Sequence, residues 1–150
     1  MNDQHSDPDS ARALAIAGEL RVLIGQLIRR LREQAHSSDL TASQKSVLLH
    51  LERDGSATVT ALAKADGVRP QSMGATVSAL QAAGHISSAP HPTDGRQTLL
   101  SLTAACRKEI KAGRAAREDW LFRAISTKFS TREQEKLRAA VELLKRFVDS

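Results

Sequence analysis

The chain has 150 residues, 41% of them apolar and 26% charged, which suits one ordinary folded domain and excludes wholesale disorder. Only 3% of the residues are aromatic, so the core must rest on aliphatic side chains and alanine, which favours helices. Lys and Arg outnumber Asp and Glu by 22 to 17, and the net charge of +5 permits an anionic partner. The single cysteine excludes an intrachain disulfide framework and a four-cysteine zinc site.

Amphipathic helices account for most of the predicted elements. After a short mobile tail at residues 1–10, apolar residues recur at three- and four-residue steps from about 11 to 34 and predict a long helix. A capping residue or a proline marks the start of each of three further helices, and a glycine marks each end. These helices are predicted from Thr41 to Gly55, from Thr58 to Gly67 and from Pro70 to Gly84.

The stretch that follows predicts the only strands. Residues 85–89 and 97–102 flank a segment dense in turn residues, which together indicate a β-hairpin. Thr103 then caps a long helix, and the Ser130–Glu133 capping box opens a final helix whose apolar stripe reaches Val148. The predicted order is α-α-α-α-β-β-α-α, a mainly α fold with a small β-hairpin.

Two short helices joined by a glycine-containing turn and followed at once by a hairpin are typical of a winged helix-turn-helix. We therefore predict a DNA-binding winged helix-turn-helix domain at residues 37–103, with the helix from Pro70 entering the major groove by its N-terminal end. The helices at 11–36 and 104–150 carry more apolar surface than one domain needs. A twofold partner would cover that surface, so these helices are predicted to form a homodimerisation region.

Several segments of the chain resemble the MarR family of bacterial regulators. Asp94-Gly95-Arg96, followed by a strand that ends in Leu102-Thr103, is similar to the wing signature of that family. The segments 68–73 and 80–86 are similar to the start and end of its recognition helix. The resemblance implies a homodimeric transcriptional regulator, most often a repressor, that binds a pseudo-palindromic operator in double-stranded DNA and has no catalytic activity. It also implies release by a small, often aromatic or phenolic, effector.

The candidate DNA-binding residues come from both helices of the helix-turn-helix and from the wing. The resemblance implies that Arg96 reaches the minor groove, with Asp94 able to orient it. Gln71 suits adenine and Ser72 suits base or phosphate, and we favour this interpretation over ordinary helix-start chemistry because the wing follows at once. The family often has a Thr-Arg pair where this chain has Gly74 and Ala75. The full set of candidates is Thr58, Thr60, Arg69, Gln71, Ser72, Ala75, His91, Asp94 and Arg96.

Positive charge is not concentrated in the part of the chain predicted to contact DNA, here called the reading head (residues 58–103). Residues 58–103 carry three basic and two acidic side chains, a net charge of +1, whereas residues 12–33 and 104–123 each carry +3. Helix N-termini and hydroxyl groups must therefore provide much of the grip on the DNA backbone. Thr58 and Thr60 are candidate donors of this kind, although each is more typical of a helix cap or a surface residue. His91 in the wing is a candidate for phosphate contact or for plain exposure.

Two alternatives stay open. A metal- or redox-responsive repressor would need clustered ligands or a reactive thiol, but the five histidines show no metal-site spacing, and Cys106 is more typical of a core residue. A non-DNA helical interaction module would use the same fold for protein partners. No cofactor is expected, and Trp120, Phe122 and Phe129 fit either an effector pocket or the core. The lack of a membrane-length apolar run and the polar N-terminus lead us to expect a cytoplasmic protein.

Overall fold

The computed structural model describes residues 7–35 and 39–149 and contains, within them, six helices and one two-stranded antiparallel sheet. The predicted order of elements and the mainly α fold class are confirmed. The elements are α1 (Pro8–Gln34), α2 (Ala42–Asp54), α3 (Val59–Asp66), α4 (Pro70–Ala82), β1 (Ile86–Pro90), β2 (Thr98–Leu102), α5 (Ala104–Lys128) and α6 (Thr131–Lys145).

Two predicted helix boundaries are wrong. The first helix starts at Pro8 instead of residue 11, because Asp7 acts as N-cap and its carboxylate accepts from the Asp9 backbone N–H at 3.3 Å. The rest of the predicted tail lies outside the described residues. The final helix ends at Lys145, and the residues up to Asp149 form hydrogen-bonded turns, so Val148 does not belong to its stripe.

The described chain divides into two compact units. Residues 39–114 form one, called here the winged unit, and residues 7–35 with 115–149 form the other, called the helical unit. The first half of α5 belongs to the winged unit because Cys106 is buried in its core, Ile110 packs against that core, and Arg114 pairs with Glu52 of α2. The division into functional domains remains a prediction.

Local capping chemistry sets the short helices of the winged unit. Thr41 and Gln44 form the reciprocal capping box that opens α2, and the Thr58 hydroxyl accepts from the Ala61 N–H at the start of α3. Gly67 ends α3 in the left-handed conformation, with φ 65°, where a side chain would be strained. Its N–H bonds back into α3, so the chain turns at once toward α4.

The hairpin is tied to the helix-turn-helix by a backbone bridge. Within the sheet, Ile86 pairs with Leu102 and Pro90 pairs with Thr98. Ala57, the residue before the N-cap of α3, exchanges two hydrogen bonds with Leu100, at 3.1 and 2.8 Å. The base of the wing is therefore attached to the start of α3.

One cluster of apolar side chains forms the core of the winged unit, and every element of that unit contributes to it. The helices α2, α3 and α4, both strands and the first turn of α5 all place side chains there. Its buried members are Val47, Leu48, Leu51, Leu62, Ala63, Met73, Val77, Leu80, Ile86, Leu100, Leu102 and Cys106.

Replacing Leu51 by alanine is expected to destabilise the protein by about 2–5 kcal/mol, because a side chain that is 1% exposed would leave a cavity in this core. Leu49 on the same helix is 58% exposed. Leu49→Ala is the matched control and should change the free energy of unfolding by about 0.5 kcal/mol or less. Urea denaturation at a fixed protein concentration measures both values. Equal losses in the two variants would contradict the assigned core.

Candidate nucleic-acid interface

The segment between α3 and α4 contains an exposed arginine, Arg69, whose side chain neither caps a helix nor forms an ion pair with another described residue. Val68 N–H bonds back to the Ala63 carbonyl, and Arg69 then occupies the N-cap position of α4. Its side chain makes no capping hydrogen bond, and Pro70 takes the first helical position. Arg69 is exposed, and no ion pair among the described residues involves it. The guanidinium is therefore available to an anionic partner.

The outer face of α4 begins with polar side chains. Gln71 and Ser72 are exposed and lie inside the helix, one and two positions after Pro70, so neither is the N-cap. Neither side chain makes a hydrogen bond to another described residue, and Ser72 accepts from the Thr76 hydroxyl only through its backbone carbonyl, at 3.2 Å. Capping of α4 is therefore not their role, and their assignment to DNA contact stays a prediction. Ala75 follows Gln71 by one turn on the same exposed face.

The opposite face of α4 is buried, and the helix as a whole is uncharged. Met73, Val77 and Leu80 point into the core of the winged unit. None of its thirteen residues is acidic or basic. Contacts from this helix to a nucleic acid would therefore depend on neutral side chains, backbone N–H groups and the positive end of the helix dipole.

The two threonines at the start of α3, its N-cap Thr58 and Thr60 in its first turn, differ in their local role. Thr58 is half-buried, and its hydroxyl oxygen accepts from Ala61 N–H at 3.2 Å, so it serves as a cap. Its hydroxyl hydrogen can still be donated. Thr60 is exposed in the first turn of α3 and makes no side-chain hydrogen bond to the described residues. Both lie at the N-terminal end of a helix, where backbone donors also point outward.

The wing turn orients Arg96 through its backbone. Asp94 Oδ1 accepts from the Arg96 backbone N–H at 3.1 Å, and Gln97 N–H bonds to the Asp94 carbonyl at 3.0 Å. No ion pair among the described residues joins the Arg96 guanidinium to Asp94. Asp94 thus fixes the main chain of the turn and leaves the exposed guanidinium uncommitted.

His91 has a role in the wing that the sequence did not indicate. Its ring is half-buried, and Nδ1 lies 3.2 Å from the backbone nitrogens of Thr93 and Asp94 and 3.3 Å from the Thr93 hydroxyl. Its backbone N–H bonds to the Gln97 carbonyl at 3.0 Å. The imidazole therefore closes the turn, in the manner of an asparagine in an Asx-turn. The spacing His-Pro-Thr-Asp is the only signal that could have suggested it.

The structure places all nine candidate residues in the winged unit, in two groups. One group lies at the N-terminal ends of α3 and α4, and the other lies in the turn between β1 and β2. Positive charge is sparse in both, as the sequence predicted. In α3, Asp66 accepts from the Ser46 hydroxyl at 2.9 Å, which engages one of the two acidic side chains in the region.

The sites required by the alternative hypotheses find little support. Within residues 7–35 and 39–149, no three His, Cys, Asp or Glu side chains come together in a metal-binding group. The same ranges contain no helix with both the length and the apolarity of a membrane span. Cys106 is buried, and this burial, reinforced by the nearby Glu109 carboxylate, raises the pKa of its thiol. A raised pKa disfavours the thiolate that a redox sensor needs.

The helical unit presents a second surface, and this one is apolar. Neither α1 nor α6 buries a single residue, and the only buried residue of α5 is Cys106, in the winged unit. A groove of about 880 Å³ runs between α1 and the C-terminal segment. It is lined by Ala13, Ile16, Ala17, Leu20, Arg21, Ile24, Leu144, Phe147 and Val148.

Comparisons with known proteins give the family. Residues 38–97 match the sequence model of the MarR family. An HTH-type transcriptional regulator of Mycobacterium tuberculosis is 37% identical over 134 residues, which cover 89% of this chain and 93% of that protein. A relative from Mycobacterium leprae, described as an uncharacterized HTH-type transcriptional regulator, is 34% identical over the same length. The chain belongs to the MarR family of transcriptional regulators, as the wing signature suggested, and not to a class of enzymes.

Solved structures agree with the fold. A transcriptional regulator protein from Pseudomonas aeruginosa is 33% identical, with a TM-score of 0.79 over 93% of this chain and 98% of its own. A mutant of MepR from S. aureus, solved bound to an oligodeoxyribonucleotide, has a TM-score of 0.69 at 18% identity. That alignment covers 89% of this chain and 97% of the MepR chain. The predicted fold class is thereby confirmed.

The Cys106 thiol is expected to react slowly in the folded protein. Its raised pKa and its burial keep it protonated and covered, so alkylation by iodoacetamide at about pH 8 should be at least about tenfold slower than in urea. The favourable burial of the neutral thiol persists at lower pH, and its contribution to stability is lost as the pH rises through the folded-state pKa. Mass spectrometry of quenched samples gives both rates. Equal rates would revive the redox hypothesis.

Proposed function

We propose that this MarR-family protein is a homodimeric, sequence-specific DNA-binding repressor that places α4 in the major groove and the wing in the adjacent minor groove. The observation that carries this proposal is the uncommitted state of Arg69, Gln71, Ser72 and Arg96. All four are exposed in one unit, and among residues 7–35 and 39–149 none of their side chains takes part in a cap or an ion pair. The related fold of MepR, solved with an oligodeoxyribonucleotide, supports the same use of the fold here.

Each candidate residue has a distinct chemical role in the proposed complex. Gln71 can pair with adenine through two hydrogen bonds, and the methyl group of Ala75 suits a thymine methyl one turn away. Arg69 and Ser72 flank them as donors to phosphate. Arg96 suits the negative potential of a narrow minor groove.

Phosphate contacts would fix the register of the protein on the duplex. Thr58 and Thr60 lie at the N-terminal end of α3, where a hydroxyl and the free backbone N–H groups can meet the DNA backbone. His91 and Asp94 belong to the same turn as Arg96 and shape its approach. The uncharged surface of α4 means that much of this grip comes from dipoles and hydroxyls.

A second copy of this chain is the proposed occupant of the apolar surface on the helical unit. Among the described residues, the exposed large apolar side chains are concentrated there, with only Leu49 and Val68 lying in the winged unit. Burying one such side chain contributes about 1.5–3 kcal/mol. In a twofold dimer the same side chain is buried on both copies, so each position contributes once from each chain. The predicted operator is then pseudo-palindromic, with half-sites about 10 bp apart.

Repression and release by a small aromatic or phenolic effector complete the proposal. Membership of the MarR family supports both. An effector that favours one spacing or mobility of the two reading heads would shift the dimer away from the DNA-competent state. No residue is assigned to the effector site.

Selection of genomic fragments from the source organism by the purified protein tests the proposal. We expect enrichment of a pseudo-palindrome, with affinity that falls steeply as salt rises because phosphate contacts release counterions. Failure to bind any duplex at any salt concentration would favour the protein-interaction module instead. Zinc-dependent binding would favour a metal-responsive repressor.

Arg96→Ala is expected to weaken binding of the selected operator tenfold or more, about 1–3 kcal/mol, because the wing loses its minor-groove contact. Arg53→Ala is the control, since Arg53 lies at the end of α2 and already pairs with Asp54. Fluorescence anisotropy with a labelled operator gives both affinities. Equal affinities for wild type and Arg96→Ala, with the fold intact by circular dichroism, would contradict the role of the wing.

Ile16→Glu is expected to shift the protein from dimer to monomer, because it places a charge in the apolar groove of the helical unit. Leu49→Glu adds the same charge at an exposed position of the winged unit and should leave the dimer intact. Sedimentation velocity over a range of concentrations distinguishes the two species. A dimer that survives Ile16→Glu would place the interface elsewhere.

A further inference from the structure

Two successive side chains, the imidazole of His91 and the carboxylate of Asp94, hold the turn of the wing through hydrogen bonds to its backbone. His91 Nδ1 faces the backbone N–H groups of Thr93 and Asp94, each at 3.2 Å. The carboxylate of Asp94 in turn accepts from the Arg96 backbone N–H at 3.1 Å. The turn that presents Arg96 is therefore organised from His91 through Asp94.

This arrangement requires a particular protonation state. A backbone N–H can only donate, so Nδ1 must carry its lone pair, and the ring proton must lie on Nε2. The Thr93 hydroxyl, 3.3 Å away, then donates to the same nitrogen. An imidazolium would turn Nδ1 into a donor that faces two other donors, and both backbone contacts would be lost.

Among the described residues, His91 Nδ1 is the one acceptor for the backbone N–H groups of Thr93 and Asp94. Between Ile86 and Leu102 the only other charged side chains are Asp94 and Arg96. The helices α2, α3 and α4 pack against the hairpin through its buried base, at Ile86, Leu100 and Leu102. Their titratable groups are Lys45, His50, Glu52, Arg53 and Asp54 on α2 and Lys64 and Asp66 on α3, and α4 has none. The first half of α5, which adds Cys106 to the same core, carries Arg107, Lys108, Glu109, Lys111 and Arg114, and Glu109 lies 4.0 Å from His85 just before β1. Among the described residues, none of them bonds to His91.

We infer that His91 is a positioning residue whose neutral imidazole pre-organises the wing for Arg96, so that protonation of His91 weakens DNA binding. The inference rests on the proposed DNA-binding function. A positively charged wing would otherwise bind DNA better, so electrostatics alone predicts the opposite sign. The test therefore spans the range from pH 5 to 8, in which histidine side chains ordinarily change charge. Loss of the turn adds an ordering cost to binding.

The test compares wild type, His91→Asn and His91→Ala on the selected operator at about pH 8 and about pH 5.5, at constant ionic strength. An asparagine oxygen can accept the same backbone N–H groups and does not titrate. Wild type should lose about fivefold in affinity at the lower pH, the free-energy scale of one net hydrogen bond. His91→Asn should bind as wild type does at pH 8 and keep that affinity at pH 5.5. His91→Ala should be weak at both.

A matched control removes another half-buried histidine of the same unit. His50 lies on α2 and contacts Asp54, away from the wing. His50→Asn should therefore retain the pH dependence of the wild type. If it abolishes that dependence while His91→Asn does not, the titrating group lies in α2 and the inference is wrong.

Action through Arg96 is tested with a double-mutant cycle. In the Arg96→Ala background, His91→Ala should cost less than about twofold in affinity, because the side chain it positions is gone. A full additive loss would show that His91 contacts DNA independently and would overturn the positioning role.

A measurement without DNA isolates the turn itself. In the free protein, the amide protons of Thr93 and Asp94 should shift together upfield between pH 8 and pH 5.5, and these shifts should be absent in His91→Asn. Stationary amides, or binding that strengthens at low pH, would overturn the inference. Absence of duplex binding by wild type at pH 8 would instead overturn the proposed function, and the positioning role with it.

Discussion

The burial of Met73, Val77 and Leu80 along one side of α4 is the interaction on which the winged unit depends. Those three side chains fix the rotation of the helix about its axis, and its outward residues follow from the helical period. The same cluster holds Ile86 and Leu100 of the hairpin. The exposed face of α4 and the base of the wing are therefore oriented by one core. The buried residues of that core thus determine which side chains are exposed to a binding partner.

The two units obtain their stability in different ways. The winged unit has a core of its own, whereas the described helices of the other unit leave their apolar residues exposed in a single chain. In the proposed homodimer, the helical unit would be stable only when paired, so its stability would depend on protein concentration. In the proposed complex, this separation would let the DNA-contacting face of the winged unit stay small and polar while the helical unit provides the apolar surface for pairing.

Much of the fold could be predicted because its boundaries are chemical and local. Thr41, Thr58 and Ser130 cap helices where their spacing indicated, and the turn-rich segment before Thr98 forms the predicted hairpin. The start of α1 was misplaced because Asp7-Pro8 has the composition of a tail, although it is also a good helix start. Local sequence alone does not decide whether such an Asp-Pro pair belongs to a flexible tail or to the first turn of a helix.

The site was predicted less completely, since side-chain commitments depend on geometry. The sequence could not decide whether Gln71 and Ser72 serve as caps, and the position of Arg69 as N-cap answers that question. The function of the His91 ring depends on where two backbone amides point after Pro92.

The two hydrogen bonds between Ala57 and Leu100 join the wing to the start of α3. In the proposed complex, a winged unit braced in this way would hold its major-groove and minor-groove contacts at one separation, so local variations in groove width would be absorbed by bending and twisting of the duplex. Operators would then be distinguished partly by how readily they deform.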